Sequence, residues 1–245
     1  FEIAMLQLEG HAIYYDLENS PLGKGKESVK DTALNISRYA DAIMARLYEH
    51  ETLIEMAKHS KIPVINGLTN FSHPCQVLSD LLTINEKFRK LSVLNLVYIG
   101  DANNNVTHSL MFACPKVGIS LRVICPAKKE FMPNPDVIVF AKRHGKLEIT
   151  SKLRVEDADI IYTDSWMSYH IPKSQGKRRI RILKPFQVNA KLMKRAKKAI
   201  FMHCLPAARG EEVTNEVIDS NRSIVFDQAE NRLHMQKAIL LWLLK

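Results

Sequence analysis

The sequence predicts an α/β protein of two domains, each a parallel sheet flanked by helices. Three observations carry that reading. Short apolar runs alternate with helix-period segments from end to end, chemically distinctive polar residues follow the apolar runs, and a long helical stretch near residues 76–90 divides the series. Strands alternating with helices imply parallel pairing through right-handed crossovers. The expected bounds are 1–82 for the first domain, 83–228 for the second, and 229–245 for a C-terminal helix that packs back on the first.

In the first series, residues 28–39 set Val29, Ala33 and Ile36 on one helical face behind Ser28 as N-cap. A buried strand at 42–46, a helix at 52–59 and a strand at 63–66 follow, and after His73-Pro74 comes a helix over 76–88. The second series opens with an apolar strand at 93–99 that ends in Gly100-Asp101, followed by Asn103-Asn104-Asn105 and a helix through 117. Further strands are expected at 121–125, 160–163, 199–203 and 224–226. The last helix, 230–244, places Met235, Ile239, Trp242 and Leu243 on one side.

Composition narrows the function class. Hydrophobic residues are 46% and charged residues 25% of the chain, the balance of a soluble globular protein. No apolar run approaches the ~18 residues of a membrane span, so no membrane partner is expected. The opening Phe-Glu-Ile-Ala-Met has no basic leader and reads like the interior of a longer chain. Cys75, Cys114, Cys125 and Cys204 are irregularly spaced, with no Cys-x-x-Cys pair, so neither a metal site nor a disulfide framework is expected, and a reducing, cytoplasmic setting is. The formal charge is +9, and residues 165–210 hold twelve Lys or Arg and no Asp or Glu. That stretch lacks interleaved aromatics and any nucleic-acid-binding signature. It reads as a solvated basic face or an anion-attracting mouth, with no nucleic-acid partner.

Ligands of parallel sheets bind in the loops after the strands, and Arg46, His73, Asn105, Asp164 and Cys204 each close or follow an expected strand. Pro74 restricts His73 to extended geometry and suits the first turn of the next helix, which leaves His73 and Gln76 at a helix N-terminus where anions are favoured. A capped junction with a surface His is the plainer account. Arg46 can be a solvated strand end, but its fork also matches phosphate and carbonyl oxygens. Asn103-Asn104-Asn105 is no dinucleotide fingerprint and can be a simple turn. Asp164-Ser-Trp-Met-Ser168 can be a cap. His203 and Cys204 adjoin in a strand and so point to opposite faces, which argues against a nucleophile–base pair. Arg232, expected at the start of the last helix, opposes the helix dipole there and hints at a bound anion.

Taken together, His-Pro-Cys-Gln at 73–76, Gly-Asp-Ala-Asn-Asn-Asn at 100–105, Asp-Ser-Trp-Met-Ser at 164–168, His-Cys-Leu-Pro at 203–206 and Glu-Asn-Arg at 230–232 resemble, in order and spacing, the signatures of ornithine carbamoyltransferases. The resemblance runs the whole length of the chain. It implies carbamoyl transfer from carbamoyl phosphate to the δ-amine of L-ornithine, a step of arginine biosynthesis, with no cofactor or metal and with assembly as a homotrimer or a multiple of trimers. It implies a carbamoyl-phosphate domain first and an ornithine domain second. The implied catalytic set is Arg46, His73, Cys204 and Arg232. Carbamoyl phosphate would meet Arg46, His73, Gln76, Cys204, Leu205 and Arg232; ornithine would meet Asn105, Asp164, Ser168, Tyr169 and Cys204.

Two departures qualify the resemblance. The family's Ser-Thr-Arg-Thr phosphate loop would stand just before Phe1-Glu2 and is not in the sequence. A chain without it lacks most of its phosphate grip, so an incomplete sequence is expected. At 168–170 the chain reads Ser-Tyr-His where the family shows Ser-Met-Gly; His170 resists backbone shapes open to Gly, and Tyr169 is less pliable than Met. Two alternatives therefore stand beside the main reading: a carbamoyltransferase for another amine such as putrescine, and a non-catalytic relative.

Overall fold

The computed structural model describes residues 1–167 and 171–244. Among the described residues, four helices begin at a short polar side chain that caps the first turn. The Ser28 hydroxyl accepts the Asp31 N–H at 3.0 Å, and the Asn104, Asn134 and Asn189 side chains accept in the same way at later helix starts.

The chain forms two units, Phe1–Cys75 with Arg232–Lys245, and Gln76–Asn231. In the first, α1 (Glu2–Gln7) and α2 (Val29–Ile36) precede β1 (Ile43–Arg46), α3 (His50–His59) and β2 (Val64–Leu68). β1 and β2 pair in parallel. Ala33, Ala45, Leu47, Leu53 and Met56 make one core. Ala4, Ile65, Cys75 and Leu240 make another, into which Leu233, Ile239 and Leu243 also pack. Of the stripe expected on the last helix, Ile239 and Leu243 do pack into this core, whereas Trp242 is 71% exposed and Leu240 is buried.

The chain crosses between units within α4 (Pro74–Phe88) and again within the last helix. The second unit adds β3 (Asn95–Ile99), α5 (Asn105–Ala113), β4 (Ser120–Ile124), α6 (Pro135–His144), β5 (Leu147–Thr150) and β6 (Ile160–Thr163). It continues with α7 (Gly176–Leu183), α8 (Ala190–Arg195), β7 (Ile200–His203), α9 (Asn215–Ile218) and the first part of α10 (Val225–Leu243). Its five strands are parallel, in the order β5-β4-β3-β6-β7. β6 and β7 are buried at every residue, the pattern of strands covered on both faces. Val97, Ile99, Ile161 and Phe201 are fully buried in the main core.

The strand expected at 224–226 is not formed. Phe201 receives Ile224 N–H on its carbonyl and gives its own N–H to Arg222, after which Val225 and Phe226 already belong to α10. An apolar triplet of this kind has no length over which period 2 and period 3.6 differ. No helix among the described residues is long and apolar enough to cross a membrane.

Candidate functional site

In the first unit, Arg46 closes β1. The pairing register runs Ala45 to Asn66 and then Arg46 to Leu68, so Gly67 is skipped in a bulge beside Arg46. Bulges bend a strand and re-aim the side chain next to them. Space is tight there: a Cβ on residue 67 would lie 2.5 Å from Met44 Sδ and 3.1 Å from the Ala45 carbonyl oxygen, so both would have to shift.

The turn after β2 is pinned by its own side chains. Thr69 N–H donates to the Ser72 carbonyl at 2.9 Å, Ser72 N–H to Thr69 Oγ1 at 3.2 Å, and Asn66 Nδ2 to Ser72 Oγ at 3.0 Å. This presents His73, which is only 5% exposed. Burial first, then the charges of Arg232 and Arg46, lower its pKa to about 3. The imidazole is therefore neutral at pH 7, with one N–H to donate and one nitrogen to accept. Both guanidinium groups act on it, which brings Arg46, His73 and Arg232 into one electrostatic neighbourhood. Arg232 sits inside α10, well past its start at Val225. The dipole acts within the first turn, so the sequence argument from the dipole does not hold for Arg232; its field on His73 is what marks it.

In the second unit the strand order supplies the site. β3 connects to β4 on one side, whereas β6 lies on its other side, so the loops after β3 and β6 part at a topological switch point where ligands of such sheets bind. Asn104 caps α5 with its carbonyl oxygen, and its Nδ2 donates to the Asp101 carbonyl at 2.7 Å and to Tyr98 Oη at 2.9 Å. Asn105 is then the first residue of α5, half-buried. Asp164, after β6, is 8% exposed; its Oδ1 accepts the Ser165 N–H at 2.8 Å and the Cys204 thiol at 3.1 Å. Residues forty positions apart in sequence thus meet across neighbouring strands.

His203 turns the other way. Its Nδ1 accepts the Leu205 N–H at 2.8 Å, which assigns the ring proton to Nε2, 3.3 Å from Glu212 Oε1. Both side chains are fully buried, and Glu212 also accepts the Ala208 N–H. These bonds hold Leu205 at φ 57, a conformation that costs a non-glycine residue about 1–3 kcal/mol and clusters at functional sites. Donor atoms of Asp164, His203 and Cys204 lie within 4.8 Å of one another, but the Leu205 N–H occupies His203 Nδ1 and the thiol donates to Asp164, so the cluster is held by its own hydrogen bonds. Ser168 and Tyr169 lie outside the described residues. Gln76, in the first turn of α4, is 2% exposed and donates through Nε2 to Asp80 Oδ1 at 2.8 Å.

The basic segment finds its counter-charges elsewhere in the chain. Arg178 pairs with Glu130, Arg195 with Glu156 and Arg209 with Asp219. Arg179 is buried, paired with Asp101, bonded through Nε to the Trp166 carbonyl and stacked over Phe131 at 4.9 Å. Burial pushes the Asp101 carboxyl up to about 6 while Arg179 pulls it down. A shallow hollow of 630 Å³ outside α7 is lined by Lys177, Ile180, Arg181, Lys184 and Pro185, and by none of the expected site residues.

Sequence reasoning missed Asp80, Glu212, Gln228 and the Asp101–Arg179 pair. Only Asp80 had a local signal, standing four residues after Gln76 on the same helical face. The others are partnered by residues distant in sequence.

Residues 1–86 match the family described as aspartate/ornithine carbamoyltransferase, carbamoyl-P binding domain, and residues 92–243 match its Asp/Orn binding domain. The chain is 49% identical over 248 residues to the anabolic ornithine carbamoyltransferase of Pyrococcus furiosus, covering 98% of this chain and 77% of that protein. It is 46% identical over 253 residues to the ornithine carbamoyltransferase of Methanobrevibacter smithii, covering 100% and 82%. The solved Pyrococcus furiosus ornithine carbamoyltransferase superposes with a TM-score of 0.92 at 48% identity, over 99% of this chain and 79% of that one. The Thermus thermophilus ornithine carbamoyltransferase gives 0.88 at 41% identity, over 100% and 80%.

Proposed function

Because this chain belongs to the aspartate/ornithine carbamoyltransferase family, we infer that it transfers a carbamoyl group from carbamoyl phosphate to the δ-amine of L-ornithine. The products are L-citrulline and phosphate, and the step serves arginine biosynthesis. The unprotonated amine attacks the carbamoyl carbon; the new N–C bond forms, the C–O bond to phosphate breaks, and phosphate leaves as the amine loses a proton.

On this reading Arg46, His73, Gln76 and Arg232 take carbamoyl phosphate. The observation that carries the assignment is a buried, neutral His73 beside two guanidinium groups. Neutral imidazole N–H and an Arg fork can donate to the carbonyl oxygen as negative charge grows on it, and the guanidinium charges offset the phosphate. Asn105 and Asp164 take the amino-acid end of ornithine, together with Ser168 and Tyr169. Cys204 and the Leu205 backbone line the pocket near the reacting amine, with the thiol donating to Asp164 so that the carboxylate keeps one orientation. Orientation of two bound substrates supplies the remaining rate. Residues 1–82 with the C-terminal helix from 229 form the carbamoyl-phosphate part and residues 83–228 the ornithine part. The protein works as a trimer or a multiple of trimers in the cytoplasm; the four free cysteines fit a reducing compartment.

The test is citrulline formation by the full-length protein from carbamoyl phosphate with ornithine, putrescine or aspartate. Turnover with ornithine alone is expected, which would make Tyr169-His170 a tolerated loop variant. A preference for putrescine, or silence with all three amines from folded protein, would overturn it. Native mass measurement tests the trimer.

A further inference from the structure

Asp80 is a carboxylate with 0% exposure, on α4, that the chemistry above leaves idle. A carboxylate removed from water is costly unless donors surround it. Its Oδ1 accepts Gln76 Nε2 at 2.8 Å and Gln228 Nε2 at 2.7 Å, and its Oδ2 accepts the Tyr162 hydroxyl at 3.1 Å. Gln228 is 0% exposed, and its Oε1 in turn accepts the His203 N–H at 2.9 Å.

An amide can present either its nitrogen or its oxygen to a neighbour, but a carboxylate only accepts. Asp80 therefore fixes the flip of both glutamines. Each turns Nε2 toward Asp80 and Oε1 away from it. For Gln228 that oxygen secures the last residue of β7, immediately before Cys204. For Gln76 the amide oxygen is the end turned away from Asp80.

We propose that Asp80 is a positioning residue that orients the Gln76 amide so that its oxygen receives an N–H of the carbamoyl group, and that through Gln228 it fixes the strand end carrying Cys204. The proposal rests on Gln76 contacting carbamoyl phosphate, as read above. It also has a consequence for specificity. An acceptor at that point favours carbamoyl phosphate over acetyl phosphate, whose methyl group has no N–H to give.

The experiment is a double-mutant cycle in the full-length protein with Asp80→Leu, Gln76→Ala and the pair, alongside Asp80→Asn. Each variant is assayed for KM of carbamoyl phosphate and for Ki of acetyl phosphate as a competitive inhibitor. Asp80→Leu is expected to raise KM about tenfold, the size of one oriented hydrogen bond. The acetyl phosphate Ki should move by less than about threefold, since that ligand never used the bond. Asp80→Asn keeps an acceptor oxygen for the glutamines and can turn its amide to Tyr162, so it should rescue KM. In the Gln76→Ala background, Asp80→Leu should add nothing. A merely structural Asp80 would shift KM and Ki together, or add to Gln76→Ala, and either result overturns the proposal, as does an unchanged KM in Asp80→Leu. An unchanged KM in Gln76→Ala would instead remove the underlying Gln76 contact. Should Asp80→Leu fail to fold, Asp80→Ser, which leaves room for a water, enters the same cycle with the same expectations.

Discussion

Burial and two neighbouring arginines hold His73 neutral, with its pKa lowered from 6.5 to about 3. A histidine with a depressed folded pKa contributes stability that is complete above 6.5 and is lost as pH falls toward 3, because the unfolded chain takes up the proton first. The slope is about 1.4 kcal/mol per pH unit. His73→Gln removes that titration. Its unfolding free energy, from denaturant melts at a series of pH values, should fall about 2 kcal/mol less between pH 6.5 and 4.5 than that of the unaltered protein; equal slopes would mean that His73 is not the group being protonated. In the second unit the corresponding residue is Asp164, held by Ser165 and Cys204. Asp164→Asn should raise KM for ornithine at least about tenfold and leave that for carbamoyl phosphate within about twofold, as loss of a charge-assisted contact to one substrate implies. Equal losses for both would count against the assignment of the two substrates to separate sets of residues. Asp164 and Cys204 stood out in the sequence because each directly follows an apolar run, and His73 because Pro74 and a helix start follow it. Glu212 did not, since a glutamate in a polar loop gives no sign that folding will bury it against His203.

Gly67 shows how a backbone irregularity can serve a side chain one strand away. The bulge that skips it falls beside Arg46, and a methyl group there would press on Met44 Sδ at 2.5 Å and on the Ala45 carbonyl at 3.1 Å. The sulfur is on a flexible side chain, but the carbonyl belongs to the backbone of β1. Gly67→Ala should therefore cost about 1–3 kcal/mol of stability, as overpacking does. It should also raise KM for carbamoyl phosphate severalfold by displacing Arg46, with KM for ornithine steady. A variant destabilised but kinetically normal would show that the bulge serves packing alone. The same contrast between pattern and context decides which elements the sequence revealed. Apolar runs such as residues 96–99 and 160–163 read as strands because burial on both faces leaves no polar position. β5 did not: Leu-Glu-Ile-Thr alternates apolar and polar, but over only four residues, and at the sheet edge all four are half-buried. α7 was hidden by charge, since its Arg179 is buried beside Asp101 rather than solvated.

Charge is the property that belongs to the chain as a whole. Of the twelve basic residues in 165–210, Arg178, Arg179, Arg195 and Arg209 pair with Glu130, Asp101, Glu156 and Asp219. The fold thus neutralises part of a segment that looked uniformly basic, which removes part of the case for nucleic acid. Lys177, Arg181, Lys191, Lys194, Lys197 and Lys198 remain exposed, and the net charge is still +9. A field of that sign attracts an anionic substrate and is screened within about 10 Å at 0.1 M salt. Carbamoyl phosphate is an anion, whereas ornithine carries a net positive charge at pH 7. Raising the salt from about 20 mM to 500 mM should therefore lower kcat/KM for carbamoyl phosphate about threefold or more, and leave kcat/KM for ornithine unchanged or slightly raised. Steady-state kinetics with each substrate varied against a saturating partner reads both. Parallel decline of the two values would assign the salt effect to the protein's conformation and not to its field. Tight binding of unrelated DNA that collapses over the same salt range would restore the nucleic-acid reading of the basic face.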